Sequence, residues 1–483
     1  MSKIIKKINN DVRTKTAKRC RERNIILPTF EQLRNPELIP ESIRKQLPGL
    51  GLWDVNPLNL FRITWKNDIN TGLFGNVNVV EIPSSISGVK ARIIGLVGKY
   101  FPTGAHKVGA AYGCLAPRLV SGEFDPEVNK AVWPSTGNYC RGGAFDCALL
   151  GVSSIAILPE EMSQERFTWL REIGAEVIAT PGCESNVKEI YDKCWELKQD
   201  PKNMVFNQFD EMGNPIFHYN VTGPAVEEAF NAIRNEKSRL SAYISATGSA
   251  GTIAAGDYLK TLFPHMKTVA SEALQCPTIL MNGFGGHRIE GIGDKHIPWV
   301  HNVRNTDAVA AIDDEDTMRV LRLFNEPEGH QYLKNLGIDP SDLPLLGISS
   351  ICNLLAAIKT AKYFEMDEND LIFTIFTDSA EMYLSRISEQ TEQKGKYAVC
   401  QANADMNACL SHQGIDNFME LNYQERKRVH NLKYYTWVEQ QGKTYEEILE
   451  QWDPEYWRSL FEDEVGYFDQ LINEFNELIA VKS

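Results

Sequence analysis

A repeated alternation of short apolar strand patterns and helical patterns is the feature that most constrains the fold of this chain. The strand patterns fall at residues 91–97, 131–133, 154–158, 176–180, 204–206, 240–244 and 268–271, and a helical pattern follows each of the first six. Repeated strand–helix units form parallel sheets whose two faces are covered by helices. The sequence therefore predicts an α/β fold, and its length of 483 residues predicts more than one lobe.

The two ends of the chain lack this alternation. We predict a helical N-terminal extension over residues 1–55, a two-lobed core over residues 56–395 and a helical C-terminal extension over residues 396–483. Within the core, residues 108–225 are predicted to form a smaller, mobile lobe. Residues 327–345 are interpreted as an insertion. Both extensions are expected to pack on the core or on a partner subunit.

Charge and cysteine usage exclude several classes of protein. The formal net charge of −14 argues against nucleic acid as the main partner and leaves small metabolites open. The ten cysteines show no zinc or redox spacing, so we expect reduced thiols, no metal site and a cytoplasmic protein. There is no apolar run long enough for a membrane helix, and the basic N-terminus lacks the apolar stretch of a signal peptide.

The first chemically informative segment is the glycine-containing turn at residues 102–106, which ends at Lys107 and opens a helix of small residues. A lysine can form a Schiff base with an aldehyde cofactor. At a helix start, the positive end of the helix dipole and tight packing are expected to lower the pKa of the amine, which leaves it neutral for such chemistry. By itself, the segment is equally compatible with a solvated surface lysine.

Three more loops follow predicted strands, where parallel sheets bind their ligands. Residues 134–138 read Pro-Ser-Thr-Gly-Asn, which suits a carboxylate or an ordinary helix cap. Residues 247–252 read Thr-Gly-Ser-Ala-Gly-Thr, whose small residues let the backbone close around a phosphate, with a tight turn as the alternative. A buried strand at residues 371–376 leads to Ser379, whose hydroxyl either meets a ligand nitrogen or serves the turn.

In this order along the chain, the lysine, the asparagine loop, the phosphate-type loop and the serine resemble the pyridoxal-phosphate enzymes of fold type II, the tryptophan synthase β superfamily. Longer segments are similar to its cysteine synthase and cystathionine β-synthase family. They are Met-Ser-Gln-Glu-Arg at 162–166, Gly-Ala-Glu-Val at 174–177, Asn-Gln-Phe at 207–209, Asn-Pro-Ile-Phe-His at 214–218, Thr-Gly-Pro at 222–224, Glu-Gly-Ile-Gly at 290–293 with Ile-Pro at 297–298, Gly-Ile-Ser-Ser at 347–350 and Asp-Ser-Ala-Glu-Met-Tyr-Leu at 378–384. The resemblance implies a two-lobed fold with parallel-rich twisted sheets flanked by helices.

The resemblance also implies a role for individual residues. Lys107 would form the Schiff base with pyridoxal 5'-phosphate and transfer the proton, Asn138 would contact the phenolic oxygen of the cofactor, and Ser379 would face the pyridine nitrogen. The implied substrate-binding residues are Ser135, Thr136, Gly137, Gln208 and Gly291. The implied phosphate-binding residues are Gly248, Ser249, Ala250, Gly251 and Thr252.

A neutral serine at the pyridine nitrogen would make the ring a weaker electron sink, which favours elimination of a β-substituent followed by addition of a nucleophile. We therefore predict β-replacement on serine, O-activated serine or cysteine, with a small, sulfur nucleophile and with Lys107 as general base. Asp378 is the alternative residue at this nitrogen, and a carboxylate there would make the ring a stronger electron sink. The alternatives are a lyase or dehydratase that releases ammonia and a keto acid, and an inactive homologue that acts as a binding partner. The resemblance further implies a homodimer.

Three places depart from the family pattern. His106 either contacts the phosphate or packs as a buried histidine. Tyr139 and Cys140 stand where the family usually has Thr-Gly, and we expect them to narrow or remake the pocket for the nucleophile. Residues 294–296, Asp-Lys-His, either add charge behind the Gly291 loop or form a solvated loop.

Overall fold

The computed structural model describes residues 2–135, 137–182, 187–293 and 295–480, without the side chain of Val187. The strands of these residues form two sheets. They are β1 (Val79–Ile82), β2 (Arg92–Val97), β3 (Lys130–Pro134), β4 (Ser153–Pro159), β5 (Glu176–Thr180), β6 (Asn203–Val205), β7 (Arg239–Ala246), β8 (Lys267–Ala273), β9 (Ala308–Ile312), β10 (Asp370–Phe376) and β11 (Phe418–Glu420).

The larger sheet has the order β1-β2-β10-β7-β8-β9-β11, and the smaller sheet has the order β5-β4-β3-β6. Every pairing in the smaller sheet is parallel, as are the pairings of the larger sheet from β2 to β9. Only the edge strands β1 and β11 pair antiparallel. The predicted α/β fold with parallel-rich sheets is confirmed.

Helices cover both sheets and form the two ends of the described chain. The first group is α1 (Asn10–Glu22), α2 (Phe30–Arg34), α3 (Glu41–Arg44), α4 (Ser84–Ser87), α5 (Lys107–Ser121), α6 (Asn138–Leu150), α7 (Gln164–Glu172), α8 (Val187–Leu197), α9 (Gly213–Phe217), α10 (Gly223–Ile233) and α11 (Ala254–Leu262). The second group is α12 (Thr278–Met281), α13 (Asp314–Asn325), α14 (Pro327–Asn335), α15 (Ile348–Tyr363), α16 (Leu384–Lys394), α17 (Val399–Asp405), α18 (Tyr423–Asn431), α19 (Tyr445–Glu450), α20 (Pro454–Arg458) and α21 (Glu464–Ala480).

The predicted strands agree with the observed ones to within about two residues at each end, and β5 has the predicted bounds. The strand expected at 204–206 is shifted by one residue, to β6. The expected insertion at 327–345 contains α14 and a short 3₁₀ turn. The helical pattern that follows the strand at 176–180 predicts a helix over residues 186–197, and Asn186 lies outside the described residues. The predicted boundaries of the extensions and of the smaller lobe stay predictions.

The two extensions pack against each other. Helix α21 lies on α1, α2 and α5. Asp469 on α21 accepts hydrogen bonds from the backbone N–H groups of Phe30 and Glu31, at 2.6 and 3.1 Å, and so caps the start of α2. Arg21 on α1 donates to the last carbonyls of α21. These contacts tie both ends of the chain to the helix that begins at Lys107.

Asp146 is an unusual group in the core. It lies wholly buried on α6, and neither of its carboxylate oxygens has a hydrogen-bond partner among the described residues. Burial raises the pKa of Asp146 well above its ordinary value. The folded protein therefore holds a proton that the unfolded chain releases above about pH 4. Through this residue the folded state loses stability as the pH rises.

Replacing Asp146 by asparagine removes this titration while keeping the shape of the side chain. We expect the stability advantage of Asp146→Asn over the wild type to grow between about pH 5 and about pH 8, by up to about 1.4 kcal/mol per pH unit. Thermal melts at several pH values measure this difference, with Asp192→Asn at an exposed ion pair on α8 as the control. An advantage that is the same at every pH would contradict the assignment.

Candidate active site

Lys107 is the first residue of α5, and the packing of this helix fixes where the lysine lies. A Cβ atom at Gly109 would lie 2.0 Å from the ring of Phe217, and one at Gly113 would lie 2.4 Å from the carbonyl oxygen of Gly213. Larger residues would therefore push α5 away from α9. The small residues of α5 let this helix pack closely against α9, and this packing fixes the position of Lys107 at the start of α5.

The amine of Lys107 points to the phosphate-type loop between β7 and α11. Its Nζ atom donates to Ser249 Oγ at 3.0 Å. Asn214 Nδ2 also donates to this hydroxyl, at 3.1 Å. A Cβ atom at Gly251 would lie 2.0 Å from Asn214 Oδ1, which explains why this position requires glycine. The structure thus brings the predicted lysine and the predicted phosphate loop into contact.

His106 packs as a buried histidine that also contacts the phosphate-type loop, and its contact with the phosphate itself stays a prediction. It is buried, its ring stacks on Trp65 at 5.6 Å, and its Nε2 atom lies 3.1 Å from Thr252 Oγ1 in the phosphate-type loop. Burial lowers the pKa of His106 to about 3, with a smaller contribution from Lys107. The imidazole is therefore neutral near pH 7, and its contact with Thr252 is a hydrogen bond between neutral groups.

The carboxylate-type loop lies between β3 and α6. Ser135 Oγ accepts hydrogen bonds from the backbone N–H of Gly137, at 3.1 Å, and from Gln208 Nε2, at 3.2 Å. Thr136 lies outside the described residues. The guanidinium of Arg166 lies directly against Gly137, because a Cβ atom there would be 2.0 Å from Arg166 Nη1. A buried positive charge beneath this loop favours binding of an anion.

A buried polar network orients Asn138. Asn138 Nδ2 donates to Asp378 Oδ2 at 2.6 Å, and the hydroxyl of Tyr383 donates to the same oxygen at 2.7 Å. Arg166 in turn donates to the hydroxyl of Tyr383 and pairs with Glu290 at 3.2 Å. Burial raises the pKa of Asp378, and Arg166 partly offsets the rise. Asp378 thus holds Asn138, which is a contact that the sequence analysis did not predict.

One cavity gathers most of the predicted residues. Its lining includes Lys107, Ser135, Asn138, Gln208, Gly248, Ala250, Thr252 and Gly291. Among the predicted residues, Gly137, Ser249, Gly251 and Ser379 are not part of this lining. Tyr139, which was expected to narrow or remake the pocket, is part of the lining. The sequence analysis missed Ser245, Ala246, Ile292, Asn353, Ile375 and Thr377.

Some of the missed residues carried a usable signal. Ser245, Ala246, Ile375 and Thr377 lie at the carboxyl ends of β7 and β10, beside residues that were predicted. Asn353 lies inside α15 and carries no local signal, because only the packing of this helix on the larger sheet brings it to the cavity.

Tyr139 is a residue of the cavity at which this chain departs from the family pattern. It is almost completely buried, its ring packs on Trp133 at 5.4 Å, and it lines the cavity beside Asn138. The adjacent Cys140 donates its thiol to the carbonyl of Gly137 at 2.9 Å, and burial raises the pKa of this thiol to about 12. Tyr139 therefore shapes the cavity, while Cys140 remains a protonated thiol.

The profile of the family described as pyridoxal-phosphate dependent enzymes matches residues 87–331, which is more than half of the chain. Of the site residues described so far, Trp65, Asn353 and those from Ile375 to Tyr383 lie outside this range. The chain belongs to the pyridoxal-phosphate-dependent enzyme family. This membership confirms the predicted cofactor and the prediction of an enzyme. Within the described residues, no helix is both long and apolar enough to cross a membrane.

Individual relatives agree with this family. The chain is 29% identical over 316 residues to cysteine synthase from Staphylococcus aureus, which covers 65% of this chain and 94% of that protein. It is 27% identical over 327 residues to cystathionine β-synthase from Saccharomyces cerevisiae, which covers 65% of this chain and 61% of that protein. A crystal structure of a hydrogen sulfide-producing enzyme from Fusobacterium nucleatum, 27% identical, superposes with a TM-score of 0.56 over 64% of this chain and 97% of that one.

These relatives confirm the predicted resemblance and the predicted fold, and they place the chain among pyridoxal-phosphate enzymes of β-replacement and β-elimination. The residues present fit the cofactor. Ser379 Oγ and Asn138 Oδ1 are buried without hydrogen-bond partners among the described residues, which polar groups of a ligand would satisfy. The glycines and hydroxyls of residues 247–252, at the start of α11, fit a phosphate.

The contact between Asp378 and Asn138 can be tested by replacing Asp378 with asparagine. The replacement removes a buried charged acceptor that both Asn138 and Tyr383 use, so we expect pyridoxal phosphate to bind about 10-fold to 100-fold more weakly. Titration of cofactor-free protein, followed by visible absorbance, measures the dissociation constant. Asp370→Asn, at the opposite end of β10 and paired with Arg239, is the matched control. An unchanged dissociation constant in Asp378→Asn would refute the positioning role.

Proposed function

We propose that this protein is a pyridoxal-phosphate-dependent β-replacement enzyme that acts on serine, O-activated serine or cysteine and adds a small sulfur nucleophile. The observation that carries the proposal is the convergence of Lys107, Ser135, Asn138 and Gln208 on one cavity. The relatives support the choice of substrate class, because the proteins from S. aureus and S. cerevisiae are named for cysteine and cystathionine synthesis.

Each residue of the cavity has a physical reason for its proposed role. Ser135 and Gln208 already contact each other, so their remaining donors are preorganised for the carboxylate of an amino acid. Arg166 beneath Gly137 adds a positive charge on the same side. When bound, pyridoxal phosphate supplies an electron sink that lets the α-proton of an amino acid leave. Lys107 is the base that accepts this proton.

The residues near β10 support elimination and replacement over other amino-acid chemistry. Ser379 is a neutral residue, and it cannot hold a proton on a ring nitrogen as a carboxylate does. The carboxylate next to it in sequence, Asp378, accepts hydrogen bonds from Asn138 and Tyr383 through Oδ2, and its Oδ1 atom lies against Gly347. A moderate electron sink suits loss of a β-substituent. The electron pair that the α-proton leaves behind forms the Cα–Cβ double bond, while the substituent departs with the electron pair of its own bond to Cβ, so little negative charge has to be stored in the ring.

A second candidate is a lyase of the same site that releases ammonia and a keto acid without adding a nucleophile. The hydrogen sulfide-producing enzyme from F. nucleatum supports this candidate, because its name describes the production of hydrogen sulfide. The two candidates share every residue named above and differ in whether a nucleophile or water reacts after the β-substituent leaves.

Product analysis separates the two candidates. Purified protein is incubated with L-serine, O-acetyl-L-serine or L-cysteine, each with and without sulfide or L-homocysteine. The proposal predicts a new sulfur amino acid that forms only when a nucleophile is present, and little ammonia without it. Ammonia and pyruvate released at the same rate with and without nucleophile would establish the second candidate instead.

The role of Lys107 has its own test. Because general-base catalysis contributes about 10²-fold to 10⁴-fold, we expect Lys107→Ala to lower kcat by at least about 10²-fold and to abolish the borohydride-sensitive absorbance of the bound cofactor. Lys99, in the 3₁₀ turn Gly98–Tyr100, pairs with Glu381. Lys99→Ala is the matched control and should keep both the wild-type kcat and the borohydride-sensitive absorbance. A borohydride-sensitive band that survives in Lys107→Ala would move the assignment to another lysine.

The wider setting of the protein belongs to the same proposal. We infer a homodimer in the cytoplasm, with a small amino acid and a small nucleophile as its binding partners. The absence of zinc and redox spacings among the cysteines, together with the burial of all but Cys400 among the described ones, supports a reducing compartment. Light scattering of the purified protein measures the oligomeric state.

A further inference from the structure

The C-terminal extension reaches the segment that follows the Gly291 loop. After α18 the chain continues through Lys433 into a π-helical turn, Tyr434–Val438. This turn lies against residues 296–301, which come directly after the Gly-Ile-Gly sequence at 291–293. The extension therefore contacts the core a few residues from the cavity.

Lys433 makes the tightest of these contacts. It is completely buried, and its Nζ atom donates to the carbonyls of Trp299 at 2.9 Å and His301 at 2.8 Å and to Gln451 Oε1 at 2.5 Å. No carboxylate of the described residues pairs with it. Burial lowers the pKa of Lys433 well below its ordinary value. A buried ammonium group is costly. Its three N–H donors meet three acceptors here, which are the carbonyls of Trp299 and His301 and the side chain of Gln451. An apolar side chain would fill the same space but would bind none of these groups.

Trp437 makes a second contact with the same segment. Its indole Nε1 donates to the carbonyl of Ile297 at 2.8 Å. Its ring packs against His296 at 5.7 Å and Trp299 at 6.0 Å. Three alternate carbonyl groups of the segment, at 297, 299 and 301, thus accept hydrogen bonds from two side chains of the extension.

The held segment connects two loops of the site. The backbone N–H of Val300 donates to the carbonyl of Phe209, the residue after Gln208, at 3.2 Å, and the ring of His296 lies 5.2 Å from that of Phe209. At the other end, the N–H of Gly293 donates to the carbonyl of Thr247 at 3.0 Å. A shift of residues 296–301 would therefore move both the Gln208 loop and the Gly291 loop.

We propose that Lys433 and Trp437 are positioning residues, through which the C-terminal extension holds residues 296–301 and so sets the spacing between Gln208 and Gly291 across the substrate site. These contacts of Lys433 and Trp437 with residues 296–301 are called the brace below. The extension lies outside residues 87–331, which the family profile matches. The effect on substrate binding rests on the proposed function, whereas the contacts of the brace do not.

Hydrogen exchange of the holoenzyme tests the brace directly. Lys433→Met removes the three donors while keeping an unbranched side chain, and Trp437→Phe removes only the indole N–H and part of the ring. Both variants should raise the exchange rates of the Gly293 and Val300 amides by about 10-fold, since about 1.4 kcal/mol of local stability corresponds to that factor. Amides of β3 and β4 should exchange as in the wild type.

A spectroscopic titration connects the brace to the substrate site. L-Serine is added to holoenzyme and the change in cofactor absorbance gives its dissociation constant, with O-acetyl-L-serine and L-cysteine titrated in the same way. Both variants should bind the responding amino acid about 10-fold more weakly while retaining full cofactor content. Lys427→Met, in the same extension but over the ring of Trp452, is the matched control and should match the wild type in both experiments.

The outcomes decide the proposal separately from the proposed function. If Lys433→Met does not fold, Trp437→Phe alone carries the test. Unchanged exchange at Gly293 and Val300 in a folded variant overturns the brace, and faster exchange with unchanged amino-acid affinity overturns its link to the site. If none of the three amino acids changes the wild-type spectrum, the proposed function fails, while the exchange result still decides the brace.

Discussion

The close packing of α5 against α6 and α9 is the contact on which the rest of the site depends. A Cβ atom at Gly142 on α6 would lie 2.7 Å from the Cα atom of Val108, the residue after Lys107. Glycines on all three helices thus let their backbones approach to a distance at which no other residue fits. Because α6 begins at Asn138 and α9 contains Asn214, this packing sets the distance from Lys107 to both polar loops.

Buried charges also restrict the positions of the loops around the cavity. Arg166 pairs with Glu290, and Glu290 also pairs with Arg386 at 2.5 Å, so a chain of ionic contacts runs from the Asn138 side of the cavity to the Gly291 side. Buried charges lose their hydration, and they are tolerated only where opposite charges and donors meet them in good geometry. The same reasoning applies to Lys433, which meets carbonyl groups instead of a carboxylate. Each of these groups restricts the positions that its loop can take.

Much of the fold was predictable, because parallel sheets leave long apolar strands and amphipathic helices in regular alternation. The strands from β2 to β8 and β10 carried that signal, whereas β11 is a three-residue edge strand with no pattern of its own. The amphipathic pattern of residues 457–478 predicts one helix, but the structure divides this stretch into the end of α20, a π-helical turn and α21. The pattern of side chains does not reveal the extra residue in the π-helical turn. Site residues were predictable where a motif stood in a strand-to-helix loop, as with Lys107 and residues 247–252. Asn353 and Lys433 reach their places through packing between distant elements.

The sequence by itself determined the family, the cofactor, the α/β architecture and the residues that meet at the ends of the strands. This was possible because strand–helix periodicity and loop motifs depend on residues that are close together in the chain. Only the tertiary structure decided that Asp378 holds Asn138, that Asn353 lines the cavity and that the extension contacts residues 296–301. These contacts join residues far apart in the chain, such as Asn138 with Asp378, and their geometry depends on how whole layers pack against each other.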